Sequence, residues 1–187
     1  MAGAPLIQPL PALLQAAATT LSAGPRYRPS DERHLERTVM TESCNHWIGV
    51  VSRSHVQRGV AGGFIQLNHG KKAPLQRLKR GDLIAIYSPR TEYPDGAPLQ
   101  VFTALGRVKT GEVYQVNMSE DFQPFRVDVD FMDCTEASIR PLIERLSFIK
   151  NKQSWGAAFR FGYVKVPAAD FAVISDAMGL AAIRSAA

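Results

Sequence analysis

Five consecutive residues, Leu83-Ile84-Ala85-Ile86-Tyr87, restrict the folds open to this chain more than any other segment. Successive side chains of a strand point to opposite faces, so a strand apolar at every position needs cover on both sides of its sheet. Pro89 ends the run, because it has no N–H to contribute to a ladder. Phe125-Arg126-Val127-Asp128-Val129-Asp130-Phe131 has the opposite character, with strict alternation of apolar and charged residues. That pattern predicts one face against the core and the other against water.

Three further strands are predicted at 47–51, 100–108 and 159–166. A helix with serine caps is predicted over 52–58, ended by Gly59 and Gly62-Gly63. Residues 71–78 read as one helical turn or an irregular loop. Ile139, Leu142, Ile143 and Leu146 give a short helix over 138–146, and Phe171, Ile174 and Met178 give a terminal helix over 167–178, stopped by Gly179. No long helix separates successive strands, which argues against a doubly wound parallel sheet. Short strands with short crossover helices suit a small α+β fold, a mixed barrel of about five to six strands whose closure removes exposed edges.

Residues 1–40 are set apart from this pattern. The first 25 carry no charged side chain and are rich in Ala, Pro and Leu, which predicts a poorly ordered extension. Cationic residues come too late for a secretory or organelle signal. Met40 is a second place at which translation can begin. The folded region is expected over 45–179, with a C-terminal tail over 180–187. Two cysteines, Cys44 and Cys134, are too few for a disulfide scaffold and fit a cytoplasmic protein. No apolar run approaches the length needed to span a membrane.

Charge is separated along the chain. Residues 53–90 hold eight basic side chains against Asp82, a balance of +7, whereas residues 112–144 hold eight acids against Arg126 and Arg140, a balance of −6. A basic face is the electrostatic footprint of a polyanion binder; mixing of the two segments on folding is the alternative.

The motifs speak against catalysis. Asp128 and Asp130 fall on the polar face of an alternating strand. Cys44, His46, His55, His69 and Cys134 lack the paired spacing of zinc sites, so no metal and no cofactor are expected. Cys134 follows a core strand, where a packed thiol is the usual state. No phosphate-binding glycine loop is present. His69 with Asp82 is the one pair that offers acid–base chemistry, and the chain reads as a non-enzyme.

A binding reading rests on Trp47, Tyr87 and Trp155, large aromatic residues at or near strand ends. Each is either a core plug or a stacking surface. Trp155 stands in a polar, glycine-flanked stretch suited to a ligand loop. In Asn68-His69-Gly70-Lys71-Lys72, the Asn68 amide has groups for a base edge, and Lys71 and Lys72 are suited to phosphates. The competing reading is a solvated loop in which Asn68 and Gly70 serve turn geometry.

The segments His46-Trp47-Ile48, Gly62-Gly63-Phe64-Ile65-Gln66-Leu67-Asn68-His69-Gly70-Lys71-Lys72-Ala73-Pro74-Leu75, Lys79-Arg80-Gly81-Asp82 and Tyr87-Ser88-Pro89 together resemble the bacterial EVE domain family. So do Phe102-Thr103-Ala104-Leu105-Gly106-Arg107-Val108, Phe148-Ile149-Lys150, Trp155-Gly156 and Phe159-Arg160-Phe161-Gly162. The resemblance implies a PUA-like pseudo-barrel, similar to the YTH domains that read methylated adenine in RNA. It further implies a pocket for a base, often a modified one, in DNA or RNA. By that resemblance Trp47, Ser52, Asn68, His69, Tyr87 and Ser88 match positions around the pocket, and Trp155 and Arg160 stand near its mouth. The expected roles are apolar walls from Trp47, Tyr87 and Trp155, edge contacts from Ser52, Asn68 and His69, and phosphate contacts from Lys71, Lys72 and Arg160. A pocket for a free nucleotide or nucleoside, without nucleic-acid contact, is the alternative.

Overall fold

The computed structural model describes residues 44–180. Its centre is a mixed sheet with β1 (His46–Val50), β3 (Leu83–Arg90), β4 (Pro98–Val108), β6 (Phe125–Phe131) and β8 (Tyr163–Val166) as the longer strands. Three two-residue strands complete it: β2 (Phe64–Ile65), β5 (Tyr114–Gln115) and β7 (Ala137–Ser138). The hydrogen-bonded order is β2-β6-β4-β3-β1-β8, with β5 on β6 and β7 on β4. Only β1 and β3 run parallel, with Ile48 opposite Ala85. The α+β class and the curled mixed sheet with few short helices are as expected; the very short strands carry no sequence pattern long enough to predict.

Side chains of β3 alternate between two separate cores, as its unbroken apolar run requires. Leu83, Ala85 and Tyr87 join Ile48, Phe102, Phe171 and Ile174 on one face. Ile84 and Ile86 join Trp47, Val56, Leu67, Leu75, Val127 and Val129 on the other. The first core is closed by α3 (Ala168–Ala177) and the second by α1 (Arg53–Gly62) and the single turn α2 (Lys72–Leu75). On β6, Val127 and Val129 are buried while Asp130 is exposed, in line with the alternating pattern.

Several boundaries differ from expectation. Helix α1 runs through Gly59 and ends at Gly63, which adopts φ 67°. The predicted helix over 138–146 is instead a 3₁₀ segment, Arg140–Arg145, with Pro141 in its first turn. Ser138 is drawn into β7 by pairing with Val101. Residues Trp155–Phe159, in part assigned to the last strand, form another 3₁₀ segment, and the strand proper begins at Tyr163. The expected extension over 1–40 and most of the tail lie outside the described residues.

Candidate nucleic-acid interface

Strands β1 and β3 run side by side and end at the same place, where Val50, Val51 and Ser52 meet Pro89 and Arg90. The β3–β4 register shifts between Ile86 and Tyr87 and again between Ser88 and Arg90, each time with one more residue on β4 than on β3. Beyond these strand ends lies a cleft of about 690 Å³. Its remaining walls are the first turns of α1, the Asn68–Gly70 turn, the β3–β4 loop, the β5–β6 hairpin and the segment Phe159–Gly162.

The polar wall comes from α1. Ser52 occupies the N-cap position in extended geometry, and its carbonyl accepts from the N–H groups of His55 and Val56. Its hydroxyl makes no capping bond, contrary to the predicted serine cap, and is left facing the cleft with Ser54, His55 and Arg58. His55 Nε2 is buried without a partner. Burial, reinforced by Arg58 and Arg126, lowers the His55 pKa and keeps the imidazole neutral.

The apolar rim is the distinctive feature. Among the described residues six large hydrophobic side chains are exposed, and four of them, Tyr93, Met118, Phe122 and Phe161, line this one cleft. Clustering of that kind marks an interaction site, whereas scattered exposed apolar residues do not. Tyr93 is 68% exposed and Phe161 65% exposed. The His69 ring meets Tyr93 edge-on at 5.0 Å, and the Arg160 guanidinium lies 4.6 Å from the Phe161 ring centre. Arg126 supports the hairpin from below, donating to Met118 Sδ at 3.2 Å and to Gln66 Oε1 at 3.4 Å.

Four cations, Arg58, Lys71, Arg90 and Arg160, line the cleft against one acid, Glu92. The ion pairs among the described residues are Arg53–Glu136 and Lys109–Asp130, so none of the four has an acidic partner there. Unpaired guanidinium and ammonium groups beside aromatic faces suit an anionic, planar ligand.

Of the ten residues singled out from sequence, the structure brings Ser52, Asn68, His69, Lys71 and Arg160 to this cleft. The other five do not line it. Trp47 is 6% exposed in the second core, and its Nε1–H donates to Asp82 Oδ2 at 2.9 Å. Tyr87 is buried in the first core, stacked on Phe159 at 4.4 Å, and burial pushes its phenol pKa up to about 12. Ser88 is buried with its hydroxyl 2.8 Å from that of Thr103. Trp155 packs edge-on against Tyr87 and Phe159, with Arg140 over its ring at 5.2 Å. Lys72 is exposed, 5.4 Å from the Phe125 ring centre. The two tryptophans therefore pack on opposite faces of the sheet and form no cage: strand alternation turns Trp47 of β1 into the second core, and Trp155, on the Trp155–Phe159 segment, packs half-buried against the first. Only Phe159 carries the aromatic stack of Tyr87 through to the cleft wall.

The proposed His69–Asp82 pair is not formed. Asp82 accepts from Trp47 Nε1, Asn45 Nδ2, and the backbone N–H groups of Asn45 and Lys79, whereas His69 faces the cleft. Burial raises the thiol pKa values of Cys44 and Cys134, which leaves less of the nucleophilic thiolate. Among the described residues no group of three or more His, Cys, Asp or Glu side chains is placed to hold a metal ion. Likewise, none of their helices is long and apolar enough to cross a membrane.

Sequence reasoning missed Tyr93, Phe122, Phe161, Arg58, Arg90 and His55. The available signal was the setting of Tyr93, in Glu92-Tyr93-Pro94-Asp95-Gly96, and of Phe122, in Ser119-Glu120-Asp121-Phe122. An aromatic residue inside a polar turn has no neighbouring apolar stripe to carry it into a core, so it stays exposed.

Known proteins place the chain. It is 54% identical over 133 residues to a "UPF0310 protein" of Mycolicibacterium vanbaalenii, covering 71% of this chain and 92% of that protein. It is 46% identical over 138 residues to "UPF0310 protein YdcG" of Bacillus subtilis, covering 74% and 94%. Among solved structures, Atu2648 from Agrobacterium tumefaciens superposes with a TM-score of 0.48 at 12% identity, covering 74% of this chain and 96% of that one. The model of the EVE domain matches residues 45–177, and the chain belongs to the EVE domain family.

Proposed function

We propose that the domain is a non-enzymatic, cytoplasmic nucleic-acid-binding module that takes one unstacked base, in particular a modified one, into the cleft. The observation that carries this reading is the convergence of most of the exposed large apolar side chains on a cleft whose four cations have no acidic partner among the described residues. Stacking on an aromatic ring contributes roughly 1–3 kcal/mol per base and tolerates any base. The cations add a salt-dependent attraction for flanking phosphates. In this reading Phe161, Phe122 and Tyr93 stack, Ser52 and His69 meet the polar edge, and Lys71 and Arg160 hold phosphates.

Fluorescence anisotropy with short single strands of DNA and RNA tests it. The strands carry a central base, a methylated base or an abasic site. Strands with a base should bind about tenfold more tightly than abasic strands. Phe161→Ala should remove that preference, whereas Lys71→Ala should weaken all strands alike and reduce the salt slope by about one. Equal affinity for base-bearing and abasic strands would sink the proposal. The cleft volume of about 690 Å³ also falls in the range of small-molecule sites. A free nucleotide ligand is the second reading, and it predicts that nucleosides bind as tightly as strands, with little salt dependence.

A further inference from the structure

Asn68, His69 and Gly70 follow one another with φ values of 47°, 57° and 82°, all left-handed. For Gly70 this is ordinary, but for two successive non-glycine residues it costs free energy that the surroundings must offset. Backbone bonds from Gly70 N–H and Lys71 N–H to the Leu67 carbonyl close the turn, and one side-chain hydrogen bond ties it to a distant segment. Asn68 Nδ2 donates to the Phe161 carbonyl at 3.0 Å, joining two segments 93 positions apart that form separate walls of the cleft. On its other side Asn68 Oδ1 is buried against Gly162, where φ is 80° and any Cβ would collide with it. The Gly162 carbonyl in turn accepts from Val50 N–H at 2.8 Å, at the end of β1. Phe161 and Arg160, the stacking ring and the cation of that wall, therefore hang from a short turn pinned at Asn68 and at Val50.

We infer that Asn68 is a positioning residue, a latch between the Asn68–Gly70 turn and the Phe159–Gly162 wall that fixes Phe161 for stacking. This rests on the base-binding reading above and replaces the direct edge contact expected of Asn68. One of its two amide N–H groups is committed to the Phe161 carbonyl, and its oxygen is buried against Gly162.

The test uses the full chain with Asn68→Gly, Asn68→Asp, Gly162→Ala and the Asn68→Gly/Gly162→Ala double variant. Glycine accepts φ 47° without strain but cannot donate; aspartate tolerates the same backbone and presents a carboxylate to the Phe161 carbonyl. The expected result has three parts. Asn68→Gly melts within a few degrees of wild type, amides of 160–163 exchange hydrogen faster, and the preference for base-bearing over abasic strands falls about tenfold. Gly162→Ala gives the same exchange and base-preference phenotype from the opposite side, with a lower melting temperature because alanine is strained at φ 80°. The double variant loses less than the sum of the two, because the collision partner is gone. Wild-type exchange and wild-type base preference in Asn68→Gly would overturn the inference. So would wild-type base preference in Asn68→Asp, which also decides the matter should the glycine variant fail to fold. If wild type itself shows no base preference, the base-binding reading is what fails, and the exchange rates alone still decide whether Asn68 pins the wall.

Discussion

Trp47 is conspicuous in sequence, yet the structure buries it away from the cleft. Its ring fills the second core, and its Nε1–H is one of four donors to the buried carboxylate of Asp82, which is 2% exposed. A buried charge is tolerable only when its lone pairs are occupied, so each donor stabilises the whole cluster. Trp47→Phe is therefore expected to cost about 2 kcal/mol through the lost charge-assisted bond. It should leave nucleic-acid affinity untouched. Urea unfolding with a parallel anisotropy titration reads both quantities, and a selective loss of binding would return Trp47 to the site. His69 illustrates the converse. Nothing in its sequence context separates a ligand-facing imidazole from a solvated one, and only the edge-on contact with Tyr93 at 5.0 Å places it beside the aromatic rim.

At the scale of elements, α1 supplies the cleft on one side and the core on the other. His55 and Arg58, three apart, share its cleft face, while Val56 and Gly59 are buried. Gly59 is an interior helical glycine, where alanine would ordinarily be better by about 1 kcal/mol. Here a Cβ would lie 2.7 Å from the Phe64 carbonyl oxygen of β2, a backbone atom that cannot yield without moving the strand. Overpacking typically costs about 1–3 kcal/mol, which outweighs the propensity gain. Gly59→Ala should lower the urea midpoint; a stabilised variant would show that α1 and β2 are not in firm contact. The elements that escaped prediction did so for physical reasons. The apolar spacing of 139, 142, 143 and 146 fits an α-helical stripe, yet β7 claims Ser138 and Pro141 enters the first turn, which leaves a 3₁₀ segment.

For the whole molecule, the two charge blocks seen along the chain separate at the cleft. The basic segment contributes Arg58, Lys71 and Arg90, and the acidic segment contributes Met118 and Phe122 but none of its acids. Two histidines make stability depend on pH. Burial lowers the pKa of His46, against which Asp82 acts in the opposite sense, and burial with Arg58 and Arg126 lowers that of His55. The unfolded chain, in which both sit near the ordinary value of 6.5, then binds protons that the folded chain refuses. Stability should be full above that value and fall as the pH drops through it towards the depressed folded values. His55→Gln should flatten part of this dependence in urea unfolding followed between about pH 8 and about pH 5. An unchanged profile would place the linkage elsewhere.

Local pattern alone determined the class of the fold. A strand apolar at every position demands two cores and an alternating strand demands one, because periodicity follows from the geometry of each element, whereas helix α1 runs through Gly59 and β3 through Pro89, where ends were expected. Which aromatic residues stay exposed around one opening was decided only in three dimensions. The pairing of β1 with β3 sends Trp47 and Tyr87 into the cores and Trp155 packs half-buried against the first, while Tyr93, Phe122 and Phe161 from three distant loops are brought around one opening. A local sequence pattern records whether a side chain can be buried; whether it has a partner to be buried against depends on which segments the chain folds together.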